Sequence, residues 1–147
     1  MGLVLKYGGT SVADLANIQA VASYIHDVHA TQPVVVVVSA MGKTTDQLLQ
    51  MAKSLSNALS KRELDTLLAT GEQQSIALLT MALHQLGTDA ISLTGSQAGF
   101  LTTKSHTKGI ITDVRIERVQ QHLQEGKVVV VAGFQGITPD GDITTLG

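Results

Sequence analysis

Two runs of valine limit most strongly what this chain can fold into. Five consecutive valines run from Val34 to Val38 after a proline, and four run from Val128 to Val131 after a glycine and a lysine. Such β-branched runs are too short for helices, and an unbroken apolar run is typical of a strand that is buried on both faces of a parallel sheet. The sequence therefore predicts a parallel sheet with helices on both sides.

The remaining pattern alternates strands and helices. Apolar residues at helical spacing follow Asp14, which is placed to cap the N-terminus of a helix that continues past Val28. Shorter strands are predicted at Leu3–Lys6 and Ala90–Leu93, and one more begins at Ile143 after a turn-rich passage. Further helices, the last two ending at glycine, are predicted at Asp46–Leu59, Glu63–Ala69, Gln73–Leu86 and Arg115–Gln124. This order predicts right-handed crossovers and a three-layer α/β/α sandwich with a mainly parallel sheet.

Composition excludes several classes of function. The chain of 147 residues has 10 Lys and Arg against 12 Asp and Glu, with two Tyr, two Phe and no Trp, so it lacks the basic, aromatic surface of a nucleic-acid binder. It has no cysteine, which excludes disulfides and thiolate metal sites and favours a cytoplasmic location. No window approaches the roughly 18 apolar residues of a membrane span, and no signal-peptide pattern is present, so we expect neither membrane insertion nor export.

A glycine pair follows the first predicted strand. Lys6 ends that strand, and Gly8 and Gly9 lead into the capped helix. Glycines allow main-chain N–H groups to approach an anion, the helix N-terminus attracts negative charge, and the lysine adds a mobile positive charge. The pattern predicts a phosphate site, and a plain strand-to-helix turn that needs two glycines remains the alternative.

The loop after the first valine run contains Gly42-Lys43-Thr44, which resembles part of a P-loop. A P-loop needs a further glycine five positions before Gly42, and Val37 occupies that position inside the valine run. We therefore disfavour a P-loop. Ser39 and Thr45 instead offer hydroxyl groups at the carboxyl end of a parallel strand, where α/β sheets bind ligands.

Glu72 lies between two predicted helices and has Ile76, not a basic residue, at the i+4 position. Such a glutamate can bind a substrate ammonium group. From the pattern alone, however, an ordinary acid in the first turn of a helix is favoured.

The histidines show no spacing typical of a metal site. His26 and His29 are three residues apart, but no carboxylate or cysteine completes a set of ligands. We therefore predict no metal site and expect solvated side chains for His26, His29, His84, His106 and His122.

Five segments, taken together in their order and spacing, closely resemble the aspartate kinases, which belong to the amino acid kinase family. The segments are residues 6–13, 34–41, 68–73, 131–136 and 143–147. The resemblance covers the whole chain and implies a truncated amino acid kinase fold of the carbamate kinase-like type. Residues 1–147 would form the N-terminal, acceptor-side lobe, without the nucleotide lobe and the ACT regulatory domains.

The resemblance also implies an activity. Aspartate kinases use ATP, with Mg²⁺ expected beside its phosphates, to phosphorylate the side-chain carboxylate of L-aspartate to 4-phospho-L-aspartate. This reaction opens the routes to lysine, threonine, methionine and diaminopimelate. Because transfer brings two anions together, catalysis depends mainly on positioning and charge stabilisation.

Each site residue receives a role from the same resemblance. Lys6 would stabilise the transferring phosphoryl group, and Glu72 would pair with the ammonium of aspartate. The residues implied for the ATP phosphates are Lys6, Tyr7, Gly8, Gly9, Thr10 and Ser11. Those implied for the substrate are Ser39, Thr45 and Glu72, and no residue is assigned to a metal.

The implied partners are L-aspartate and other protein chains, with neither nucleic acid nor membrane. A truncated sheet leaves an unpaired apolar edge that favours association, including formation of a homo-oligomer. We expect the chain to be inactive alone. The alternative function is a non-catalytic lobe that associates with a full-length kinase or with a complementary C-terminal half.

Overall fold

The computed structural model describes residues 2–147, which contain eight strands and four α-helices. The strands are β1 (Leu3–Tyr7), β2 (Val34–Val38), β3 (Ala90–Leu93), β4 (Phe100–Thr102), β5 (Ile111–Val114), β6 (Val128–Ala132), β7 (Gln135–Ile137) and β8 (Ile143–Thr145). The helices are α1 (Leu15–His29), α2 (Thr44–Leu55), α3 (Lys61–Gln85) and α4 (Glu117–Gln124), and a short 3₁₀ helix covers Gly9–Val12. None of the helices in residues 2–147 combines the length and apolar character needed to cross a bilayer.

The strands form two sheets of four. The first has the order β1-β2-β6-β3, and all its neighbouring strands are parallel, as the valine runs predict. The second has the order β5-β4-β7-β8 and is mixed. Of its strands only β8 was predicted, because β4, β5 and β7 are three or four residues long and lack a clear apolar pattern.

Helices cover both faces of the parallel sheet, which confirms the three-layer α/β/α sandwich. Val34, Val36 and Val38 are fully buried in a cluster with apolar residues of α1 and α3. The alternate residues Val129 and Val131 pack on the opposite face, against apolar residues of α4. Side chains of a strand point alternately to the two faces, so one valine run supplies both cores.

The prediction that both valine runs are buried on two faces holds for β6 but is wrong for β2. Every residue of β6 is buried, whereas Val35 and Val37 of β2 are half-buried. The reason is that α4 has only eight residues and packs against β6. Val35 and Val37 therefore line an apolar groove that also contains Val4 of β1.

The N-terminus of α1 and the C-termini of α3 and α4 follow the capping rules. The Asp14 carboxylate accepts a hydrogen bond from the Asn17 main-chain N–H at 2.8 Å, as predicted for an N-cap. Gly87 and Gly126 adopt φ values of +82° and +83° just after α3 and α4, which confirms them as helix stops. The outer bounds differ from the prediction: α2 ends at Leu55 rather than Leu59, and α4 begins at Glu117 rather than Arg115.

The predicted break between two helices at residues 70–72 is wrong, since α3 continues through it for 25 residues. Glycine inside a helix costs about 1 kcal/mol relative to alanine, which is why Gly71 indicated a break. A Cβ at Gly71 would lie 2.9 Å from the Ala40 Cβ. The glycine therefore permits close packing of α3 against the loop after β2.

Candidate active site

A cleft of about 410 Å³ opens at the carboxyl ends of the parallel strands, the edge at which α/β sheets bind ligands. It is lined by residues that follow β1, β2 and β6, by the first turn of α2, by one side of α3, and by the end of β8. The lining residues are Gly9, Ser39, Ala40, Gly42, Thr45, Leu68, Glu72, Phe134, Thr145 and Leu146.

Small residues bring together three parts of this cleft, namely the loop after β1, the loop after β2 and helix α3. A Cβ at Gly9 would lie 3.0 Å from the Ala40 carbonyl oxygen and 3.1 Å from that of Gly42. The Gly42 N–H donates to the Gly9 carbonyl at 2.9 Å, which joins the loops after β1 and β2. With Gly71 packed on Ala40, α3 reaches the same point, and the next residue on the helix is Glu72.

Glu72 is the acidic side chain on the wall of the cleft. It is 5% exposed, and it forms no salt bridge within residues 2–147. Burial raises its pKa from 4.5 to about 7, and hydrogen bonds from the Gln135 side chain and its own main chain act in the opposite direction. A buried carboxylate without a cation favours a positively charged ligand, because pairing offsets the cost of its desolvation.

Two hydroxyl groups lie on the same cleft as Glu72. Ser39 follows β2 directly, and its main-chain N–H donates to the Tyr7 carbonyl at 3.1 Å, which extends the strand pairing by one residue. Thr45 lies in the first turn of α2, where the helix dipole attracts negative charge. The structure thus brings together Ser39, Thr45 and Glu72, the three predicted substrate residues.

Lys6 lines a second cleft of about 290 Å³, which shares Ser39, Phe134 and Leu146 with the first. The two clefts are therefore neighbours. Lys6 is exposed, and no acidic side chain within residues 2–147 forms a salt bridge with it. The unpaired Lys6 ammonium lies next to the cleft that Glu72 lines. It is suited to bind an anionic group that extends from one cleft into the other.

The other predicted phosphate residues are dispersed. Gly9 lines the first cleft and Tyr7 the second, and burial raises the pKa of the Tyr7 hydroxyl. Gly8, Thr10 and Ser11 are exposed and line neither cleft. The reason is the short 3₁₀ helix after β1, in which the Ser11 N–H already donates to the Gly8 carbonyl at 3.1 Å.

Phe134 is a site residue that the sequence reasoning missed. It has a φ of +59°, is 53% exposed and lines both clefts. The sequence feature that could have identified Phe134 is an aromatic residue in a turn directly after a buried strand, at the edge of the sheet where ligands bind. Thr145 and Leu146 were also missed, because their place on the cleft depends on the pairing of β8 in the second sheet.

The prediction that the histidines are solvated is confirmed for His26 and His84, which are exposed, and is wrong for His29, His106 and His122, which are half-buried. Each of these rings also makes a hydrogen bond. The contacts tie helices to neighbouring loops rather than forming a ligand set. They are His26 with the Thr88 hydroxyl at 2.6 Å, His29 with the carbonyls of Gln32 at 3.1 Å and Gly126 at 3.0 Å, His84 with the Ala90 carbonyl at 2.8 Å, His106 with Asp65 at 2.8 Å, and His122 with Glu125 at 3.1 Å.

Comparison with protein families decides the identity of the fold. The amino acid kinase family matches residues 1–147, which is the whole chain. The chain belongs to the amino acid kinase family. This kinase-family chain is 54% identical to the aspartokinase of Geobacillus stearothermophilus and 52% identical to aspartokinase 2 of Bacillus subtilis. Both alignments cover 100% of the chain but only 37% and 36% of these curated relatives, so the chain spans little more than a third of their length.

Solved structures of the amino acid kinase family show the same fold. The aspartate kinase of Synechocystis has a TM-score of 0.82 and 48% identity, and the match covers 100% of the chain and 24% of that protein. E. coli aspartokinase III, solved in complex with aspartate and ADP, has a TM-score of 0.88 at 21% identity, covering 100% of the chain and 44% of that protein. At that lower identity the likeness concerns the fold alone.

Proposed function

We propose that this chain is the acceptor-side lobe of an aspartate kinase, which transfers the γ-phosphoryl group of ATP to the side-chain carboxylate of L-aspartate. The observation that carries the proposal is the buried Glu72 carboxylate, which faces a cleft shared with the hydroxyls of Ser39 and Thr45. Its aspartokinase relatives, more than half identical over the chain, support the same substrate.

The proposed chemistry assigns opposite ends of aspartate to different parts of the site. Glu72 would bind the α-ammonium, while Ser39 and Thr45 would donate hydrogen bonds to carboxylate oxygens. The side-chain carboxylate would then point toward the second cleft, where Lys6 would stabilise negative charge on the phosphoryl group as it transfers. The main contribution of these residues is to hold two anions together against their repulsion.

We assign Mg²⁺ no protein ligand among residues 2–147. Residues 2–147 contain no group of three or more His, Cys, Asp or Glu side chains arranged for a metal ion, and Glu72 is engaged with the substrate in our proposal. These residues therefore do not fit a protein-held metal centre, and we assign no step to one.

A cytoplasmic location remains a prediction from the absence of cysteine.

The proposal can be tested by binding, which depends on fewer parts of the enzyme than turnover does. The ¹⁵N-labelled chain is titrated with L-aspartate and, in parallel, with succinate, which lacks the ammonium group. We expect L-aspartate to bind more tightly and to shift the amide resonances of Ser39, Thr45 and Glu72. The Glu72→Gln variant should lose about tenfold in L-aspartate affinity and little for succinate.

Glu117→Gln is the matched control, because Glu117 is an exposed glutamate in the first turn of α4. It should bind both ligands like the wild type. Equal affinity of the wild type for L-aspartate and succinate would contradict the role of Glu72. Absence of L-aspartate binding would contradict the proposed function.

A second candidate function is association with another chain through β1. This strand is at the end of the parallel sheet, and Val4 at its centre is 69% exposed. An edge strand with an exposed valine can pair with a further strand. Light scattering of the purified chain tests this candidate, which predicts a dimer or larger species, whereas a clean monomer contradicts it.

A further inference from the structure

Asp65 is a fully buried carboxylate on α3 that lies outside the lining of either cleft. It accepts four hydrogen bonds through its two oxygens. The Thr107 main-chain N–H donates to both, at 3.1 and 3.0 Å, the His106 Nδ1–H donates to Oδ2 at 2.8 Å, and the Thr145 hydroxyl donates to Oδ1 at 2.6 Å.

The donors come from two segments far from Asp65 in the chain. One is the loop 103–110 between β4 and β5, and the other is β8. Thr107 adopts a φ of +65°, an unfavourable conformation for a β-branched residue. This conformation accompanies an N–H directed at the carboxylate, so the loop is shaped around Asp65. Burial of a carboxylate is costly unless its oxygens are satisfied, and here all the satisfying groups belong to these two segments.

The end of β8, the second of these segments, carries a wall of the candidate site. Thr145 and Leu146 line the first cleft. The Gly109 N–H donates to the Thr145 carbonyl at 2.9 Å, and the Leu146 N–H donates to the Phe134 carbonyl at 2.9 Å. The end of β8 is therefore held between the loop that Asp65 binds and the turn that carries Phe134.

The opposite wall is part of α3 itself. Glu72 is seven residues after Asp65, about two helical turns along the same face. Asp65 thus links the helix that presents Glu72 to the strand that presents Thr145. Two salt bridges, Arg62–Asp142 at 2.6 Å and Lys104–Asp140 at 2.7 Å, support the same region from outside. They contribute less, because three of their four side chains are exposed to solvent and that of Asp142 is half-buried.

We propose that Asp65 is a positioning residue for the acceptor site: its carboxylate holds loop 103–110 and β8 against α3 and so sets the separation between Glu72 and the Thr145–Leu146 wall. This inference rests on the proposed function, because the ligand of the site is taken to be L-aspartate. Asp65 touches no substrate in this arrangement and acts through Thr145 and the loop.

The test compares Asp65→Asn with Asp27→Asn in the 147-residue chain. Asparagine preserves the shape of the side chain but presents an NH₂ group to donors that need an acceptor. Asp27 is exposed on α1, so its variant makes the same change of charge away from the site. In the absence of ligand, hydrogen exchange of the Thr107 and Leu146 amides should rise about tenfold in Asp65→Asn and stay at the wild-type rate in Asp27→Asn.

The affinity for L-aspartate is the measurement that a purely structural role of Asp65 would leave unchanged. With the amides of β2 and β6 still protected, which shows that the core is folded, Asp65→Asn should bind L-aspartate about tenfold more weakly than the wild type. Unchanged affinity in this folded variant overturns the positioning role. If the wild-type chain itself fails to bind L-aspartate, the proposed function is overturned instead, so the two failures are distinguishable.

The variant Thr145→Val is a second test of the proposal, and it keeps the Asp65 carboxylate intact. It removes only the hydroxyl donor, and it should raise Leu146 exchange while leaving Thr107 exchange near the wild-type rate. In a double-mutant cycle, Asp65→Asn combined with Thr145→Val should lower L-aspartate affinity no further than Asp65→Asn alone. If the double variant instead shows the product of the affinity losses of the two single variants, Asp65 does not act through Thr145. If Asp65→Asn fails to fold, unchanged Leu146 exchange in Thr145→Val overturns the proposal by itself.

Discussion

The Lys6 ammonium lies 5.6 Å from the centroid of the Phe134 ring, at the boundary between the two clefts. This cation–π contact is the interaction that orients an otherwise exposed lysine. It joins the end of β1 to the turn after β6, two segments that are far apart in the chain. Phe134 therefore places the proposed phosphoryl-stabilising charge next to the proposed acceptor site.

Replacement of Phe134 by leucine should release the Lys6 side chain. Cation–π contacts at exposed sites contribute about 0.5–1 kcal/mol, so the fold should survive. The measurement is the ¹H shift of the Lys6 ε-methylene group, which the ring current displaces in the wild type and which should return to the value of a free lysine. Phe100→Leu, in the cluster under α4, is the control. A Lys6 shift that is insensitive to Phe134→Leu would contradict the contact.

Glu72 should make the wild-type chain less stable as pH rises. Its folded pKa of about 7 lies above the ordinary value of 4.5, so between these pH values the folded state binds more protons than the unfolded state. The free energy of unfolding therefore falls as pH rises across this window. Above pH 7 the total decrease is about 3 kcal/mol. Glu72→Gln should remove this loss.

Urea unfolding at pH 5 and pH 8 measures the effect. Glu72→Gln should be more stable than the wild type at pH 8 and close to it at pH 5, while Glu117→Gln should follow the wild type at both values. A functional residue that costs stability is typical of an active site. Equal stability of Glu72→Gln and the wild type at pH 8 would argue against the buried, unpaired carboxylate.

The central sheet was predictable because its signal is local. Each valine run contains its own strand, and the run length, the flanking Gly or Pro and the apolar character of both faces are all visible in a short window. The same holds for the Asp14 cap and for the glycine stops after α3 and α4. These features depend on residues that are neighbours in sequence, so a short stretch of the sequence is enough to predict them.

The second sheet and much of the site depend on contacts between distant segments. Thr145 reaches the cleft because β8 pairs with β7 and hydrogen-bonds to Asp65 on α3, and no local pattern encodes either contact. Gly71 shows the opposite difficulty. Its local signal favours a helix break, but packing against Ala40 decides the outcome, and a glycine chosen for close approach resembles one chosen for flexibility.

Gly71→Ala should destabilise the chain although alanine is the better helix former. The new methyl group would lie 2.9 Å from the Ala40 Cβ, a distance that forces the helix or the loop to move. We expect a loss of about 1–3 kcal/mol in urea unfolding, the usual cost of overpacking. The double variant Gly71→Ala with Ala40→Gly removes the conflicting methyl group and should recover most of this loss. A single Gly71→Ala variant that is more stable than the wild type would contradict the packing.

Binding of L-aspartate should strengthen as pH rises from 6 to 8. The ammonium of the ligand stays protonated throughout this range, so the ionisation of Glu72 controls the interaction. With a pKa of about 7 in the free site, only a small share of Glu72 is ionised at pH 6 and most is ionised at pH 8. Affinity should therefore rise about tenfold across the range, as expected when one proton must leave before the ligand binds. Calorimetric titration at several pH values measures this dependence, and Glu72→Gln, which cannot ionise, should show a weak and flat profile. A flat profile in the wild type would mean that Glu72 is already fully ionised at pH 6, so that burial does not raise its pKa in the free site.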